Sequence, residues 1–88
     1  MIQKEFVLQN RLGLHIRPAA LFTKIAAKYK SDVFLVRDRM RVNAKSIMGV
    51  MMLAAGQGSR LTLECIGEDE EALAAELMTL IENKFNED

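Results

Sequence analysis

One histidine and one proline occur in the chain, and both lie in the hexapeptide Gly13-Leu14-His15-Ile16-Arg17-Pro18. A neutral imidazole is nucleophilic near physiological pH, and a phosphoryl group bound to its nitrogen stays reactive enough to be passed on, whereas a serine phosphoester is a resting place. Proline suits the first turn of a helix, where its missing N–H loses no partner, so Pro18 sets a helix start within a residue or two of His15. The unpaired backbone N–H groups of such a start, with the positive end of the helix dipole, form an anion site. Arg17 adds a guanidinium matched to phosphate oxygens. These parts describe a phosphorylatable histidine; spacing alone also admits a plain turn or capping role for His15. Gly13 either supplies a positive φ and a close backbone approach or is an ordinary turn glycine. Phosphoryl transfer asks mainly for positioning and charge neutralisation, which a helix start and one arginine can give without a deep pocket.

The elements that must hold this hexapeptide follow from the apolar pattern. Residues 2–8 read as a strand with Ile2, Phe6 and Leu8 on one face, although Lys4 breaks the alternation. A helix is expected from Ile16 to Lys28, with Phe22, Ile25, Ala26 and Tyr29 at helical spacing. Val33–Val36 has the composition of a covered strand, and Asp38-Arg39 turns the chain into a short strand at Met40–Val42. A short helix follows from Ser46 to Leu53, with Ser46 at the N-cap position. Gly56-Gln57-Gly58 breaks the chain before a strand at Arg60–Ile66. The last helix spans Asp69–Asn83, with Leu73, Leu77, Leu80 and Ile81 on one face and the acidic run Glu68–Glu71 at its start. The order βαββαβα indicates an α+β layered domain.

Eighty-eight residues, half of them hydrophobic, can enclose one modest core, so residues 1–88 read as a single domain. Twelve basic and twelve acidic residues cancel, and aromatics are few, which argues against a nucleic-acid partner. The first residues form no apolar signal core, and no stretch is long and apolar enough to insert in a membrane, so a cytoplasmic protein is expected. One cysteine and one histidine cannot supply a zinc site, so no metal is expected, and no cofactor. Cys65 alternates with Leu61 and Leu63 and reads as a small buried hydrophobe.

Two blocks, Gly13-Leu14-His15-Ile16-Arg17-Pro18-Ala19-Ala20 and Asn43-Ala44-Lys45-Ser46-Ile47-Met48-Gly49, stand at a spacing that resembles the histidine-containing phosphocarrier (HPr) family of the bacterial phosphotransferase system. The resemblance runs over essentially the whole chain. It implies an open-faced sandwich, a four-stranded antiparallel sheet with three helices on one face. It also implies a carrier rather than an enzyme, phosphorylated on Nδ1 of His15 with Arg17 stabilising the group. Enzyme I, charged from phosphoenolpyruvate, would be the donor, enzyme IIA proteins the acceptors, and the carrier a monomer. The second block resembles the segment modified by HPr kinase/phosphorylase in part of the family, which implies a regulatory phosphate on Ser46.

Met48, Met51 and Met52 with Ile47 offer more apolar groups than one helix face requires, and methionine is an adaptable contact residue. Core packing accounts for Val50 and Leu53. The resemblance assigns Ile47, Met48 and Met51 to an exposed docking patch beside His15, extended by Ile16 and Ala20. All basic residues except Lys84 precede Glu64, and only three acids do. The family places Arg17, Lys24, Lys28 and Lys45 near His15, so an acidic partner surface is expected there. Two other readings stand beside the sugar-system carrier. One is a nitrogen-related regulatory paralogue, which the residues around Glu70–Ala75 and Phe85–Asp88 resemble; the other is a non-carrier protein-binding module in which His15 serves only as a cap.

Overall fold

The computed structural model describes residues 1–87, so Asp88 lies outside the described residues. Strand β1 covers Ile2–Val7, helix α1 Ile16–Ala26, β2 Asp32–Arg37, β3 Met40–Asn43, α2 Ile47–Met51, β4 Arg60–Ile66 and α3 Glu70–Glu82. A 3₁₀ turn, Lys84–Asn86, follows α3. The four strands form one antiparallel sheet in the order β1-β4-β2-β3, with the three helices on one face.

Strict alternation places β4 at the centre of the core. Leu61, Leu63 and Cys65 are fully covered, while Thr62, Glu64 and Ile66, alternating with them, are half-covered on the opposite face. Val33 and Leu35 of β2 pair with Cys65 and Leu63, so the inward face is continuous across the two central strands. Burial pushes the Cys65 thiol up to about 11, which keeps it protonated and inert. On the face without helices, Arg41 lies 3.7 Å over the Phe34 ring and pairs with Glu64.

Helix α1 buries Pro18, Ala19, Phe22, Thr23 and Ala26, so its covered stripe begins earlier than the Phe22–Tyr29 pattern indicated. It also stops at Ala26 rather than Lys28. The amides of Lys28 and Tyr29 bond three residues back, to Ile25 and Ala26, and this tightened turn leads the chain out of the helix. Helix α2 is shorter than Ser46–Leu53 for a similar reason: Leu53 and Ala54 bond to Val50 and Met51, and Ala54 takes a left-handed backbone. Arg37 donates to the carbonyls of Leu53 and Ala54 and ties this end to β2.

Helix α3 starts on Asp69, whose carboxylate accepts from the Ser31 hydroxyl, the Lys30 N–H and the Ser31 N–H. These donors hold its carboxyl down to about 2. The turn after α3 carries Lys84, Phe85 and Asn86 with φ near +54°, +55° and +61°, an unusual run for residues with a Cβ. Phe85 is buried in the core and anchors that course.

Candidate functional site

The backbone between β1 and α1 is shaped around Gly13. Its φ is +66°, and a Cβ there would meet the Ala55 carbonyl oxygen at 2.3 Å, so the residue must be glycine on both counts. The next amide, Leu14 N–H, donates to the same Ala55 oxygen at 2.9 Å, and Leu14 is buried. This contact joins the loop that carries His15 to the segment that follows α2.

His15 is the N-cap residue of α1 by backbone, and its side chain makes no capping hydrogen bond. The first helical bond runs from Ala19 N–H to the His15 carbonyl at 3.0 Å. Pro18 has no N–H, so the amides of Ile16 and Arg17 are left outside the helical ladder at the positive end of the dipole. Pro18 thus occupies the third helical position, where φ is favourable and no hydrogen bond is lost.

The imidazole is partly exposed and engages a carboxylate. Its Nε2 lies 3.0 Å from Glu87 Oε2, and since an ionised carboxylate can only accept, the contact is a hydrogen bond when Nε2 carries a proton. The other Glu87 oxygen accepts from Asn10 Nδ2 at 3.1 Å, and Asn10 Nδ2 also donates to the Gly13 carbonyl at 2.7 Å. Asn10 is fully buried. Beside this network opens a shallow cleft of about 440 Å³ lined by Arg11, Leu12, Arg17, Asn86 and Glu87. Among the described residues neither Arg11 nor Arg17 makes an ion pair.

Helix α2 packs beside α1 and presents Ile47, Met48, Met51 and Met52 to solvent, while Val50 and Leu53 are in the core. Met48 is 78% exposed and Ile16, at the start of α1, 63%, which is open for side chains of this size. Ala20 lies half-covered one turn along from Ile16. Ser46 is exposed, and its Oγ accepts from the Gly49 N–H at 3.1 Å, which makes it the cap of α2.

The expected cations do not all gather here. Lys24 is in the last turn of α1, nine residues on, which puts it roughly 13 Å along the axis from His15. Lys28 pairs with Glu76, and Lys45 donates to the Tyr29 carbonyl at 2.7 Å, so both tie the fold together. Arg11, Asn10 and Glu87 enter instead, and none of them was singled out from sequence. Among the described residues no group of three or more His, Cys, Asp or Glu side chains could hold a metal ion, and no helix is long and apolar enough to cross a membrane.

A family model described as "PTS HPr component phosphorylation site" matches residues 2–83. The chain is 50% identical over 88 residues to phosphocarrier protein HPr of Treponema pallidum (strain Nichols), with all of both chains covered. The crystal structure of HPr-C-His from Thermoanaerobacter tengcongensis superposes with a TM-score of 0.96 at 44% identity, covering 100% of this chain and 99% of that one. An HPr dimer from the same organism superposes with a TM-score of 0.77 at 45% identity, covering 97% and 98%.

Proposed function

The chain belongs to the HPr family of phosphotransferase-system phosphocarrier proteins, and from that premise we propose that it accepts a phosphoryl group from enzyme I on Nδ1 of His15 and passes it to enzyme IIA proteins. One observation carries this reading: the His15 ring is withheld from capping its own helix and stands beside an arginine-lined cleft, with Nδ1 uncommitted among the described residues. Arg17 neutralises the phosphoryl oxygens, together with the two free amides at the start of α1. The carrier has no turnover of its own and works in the cytoplasm.

Exchange between two partners needs a surface that both can use. Ile16, Ala20, Ile47, Met48 and Met51 supply an adaptable apolar patch, and Arg17 and Lys24 supply positive charge at its margin. Ser46 stands at the edge of the same surface. A phosphate placed there by HPr kinase/phosphorylase would bring about two negative charges against an acidic partner and would hinder docking.

Incubation with phosphoenolpyruvate and enzyme I, followed by intact mass, tests the assignment. One phosphoryl group is expected, acid-labile and alkali-stable as a phosphoramidate is, and none on His15→Ala. A His15→Ala protein that still takes the group ends the carrier reading. Met48→Asp is expected to weaken enzyme I binding about tenfold or more with an unchanged circular dichroism spectrum, since it puts charge on an exposed apolar contact; loss of folding instead would place Met48 in the core.

A further inference from the structure

The backbone after α3 holds three successive residues with side chains in the left-handed region and then brings a carboxylate to the ring of His15. We infer that Glu87, clamped by Asn10, is a positioning residue that keeps the proton on Nε2 of His15, assigns the phosphoryl group to Nδ1, and balances the positive ring that results. The inference rests on the carrier reading above.

A neutral imidazole has one N–H, and whichever nitrogen keeps it cannot act as the nucleophile. With Glu87 Oε2 accepting from Nε2–H, the lone pair is on Nδ1. The carboxylate cannot turn away easily, because its second oxygen accepts from Asn10 Nδ2. The Asn10 amide is itself set without ambiguity. Both its acceptors, the Gly13 carbonyl and the Glu87 carboxylate, demand N–H donors, and a flipped amide would face them with an oxygen. Asn10 Oδ1 then has no partner among the described residues, so this orientation is kept at the expense of one buried acceptor, for the sake of the two bonds on the other side.

The transfer step balances with this arrangement. The Nδ1 lone pair forms the P–N bond as the bond between phosphorus and the donor breaks, and that electron pair leaves with the donor. The ring retains Nε2–H and becomes positively charged, so no proton has to depart before or during the step. Glu87 faces that new charge, with its side chain 15% exposed and therefore weakly screened. On onward transfer the bonding pair returns to Nδ1 and the ring is neutral again. One oxygen of Glu87 faces Asn10 and the other His15, and among the described residues neither Arg11 nor Arg17 pairs with the carboxylate, so the guanidiniums remain for the phosphoryl oxygens.

Ring ¹⁵N–¹H correlation spectra of the full chain, taken where His15 is neutral, read the tautomer without any phosphoryl donor. The wild type is expected to show the Nε2–H form, and Glu87→Ala a shift towards the two-tautomer mixture of free imidazole. Enzyme I-dependent charging of Glu87→Ala should fall about tenfold, as loss of a partner behind a working histidine does. Glu87→Gln keeps an acceptor for Nε2–H without charge, so it should restore the tautomer and only part of the rate. A thermal melt of each variant establishes that it is folded. Wild-type tautomer in folded Glu87→Ala, or wild-type charging, overturns the inference. Failure of the wild-type chain to be charged at all would overturn the carrier reading instead, and the tautomer spectra would still judge Glu87.

Discussion

Helix α1 begins on His15 and helix α2 on Ser46, alike in position at the helix start but opposite in how the side chain is used. Ser46 turns its Oγ back to the Gly49 N–H and completes its own helix. His15 leaves the corresponding donors of α1 unmet and turns its ring to Glu87 and the cleft. A side chain at the start of a helix can serve the helix or a ligand, and here the longer helix, with eleven residues and a buried face, forgoes its cap. The five-residue α2 has far less internal support and keeps one. On the proposed function, the donors left free among the described residues are where the anion would be received.

The largest effect expected from breaking this contrast is at Arg17. Arg17→Ala removes a charge from the receiving end, and transfer to His15 should fall by about 10- to 1000-fold in stopped-flow or quench measurements. Its side chain is exposed, so stability should change by no more than about 0.5 kcal/mol. A normal transfer rate with a lowered Tm would reverse the roles of the two helix starts.

At Ser46 the effect should be on folding. Ser46→Ala should cost about 1 kcal/mol, a fall of about 4–8 °C in Tm for a chain of this size. Ser46→Asp keeps an acceptor for the Gly49 amide and should melt near the wild type, yet it should slow enzyme I-dependent charging of His15 through repulsion. Equal charging of the two variants would leave Ser46 with capping alone.

The third helix start sharpens the comparison with the smallest effect. Asp69 spends its carboxylate on the Ser31 hydroxyl and on the Lys30 and Ser31 amides, which lowers its carboxyl from 3.8 to about 2. A carboxyl depressed by folding stabilises the fold fully above its unfolded value and loses that contribution as pH falls through the folded one. Tm should therefore drop between about pH 4 and pH 2 in the wild type, and less steeply in Asp69→Asn. Glu70, held low by the Gly67 amide and the terminal amine, and Glu76, held low by Lys28 and Tyr29, leave a residual slope. An unchanged slope in Asp69→Asn would mean that the Ser31 clamp does not survive in solution.

What could be read from sequence was what depends on neighbours in the chain. The helix start at His15–Pro18 and the cap at Ser46 use backbone contacts within a few residues, and β4 has the expected bounds because alternation through Leu61, Leu63 and Cys65 is a local signal. The joint role of Asn10 and Glu87 at the site was not legible, since the bonds that bring Glu87 to Asn10 and to His15 span 77 and 72 residues. The left-handed turn at Lys84–Asn86 lacks the glycine that would announce it; Phe85 burial fixes it, and burial of one aromatic after a helix has no periodic signature. The resemblance placed Lys28 and Lys45 near His15, but their side chains bond instead to Glu76 and the Tyr29 carbonyl, partners that sequence spacing does not show.

The 72-residue separation of His15 and Glu87 has a consequence for biosynthesis. During translation at 5–20 residues per second, the histidine precedes the residue bonded to it by roughly 4–14 s. Over that interval the ribosome-bound chain contains the nucleophile and both guanidiniums while Phe85, which seats the turn, is unmade. A nascent chain arrested before Phe85 should thus bear His15 without the ring orientation that the Glu87 contact gives.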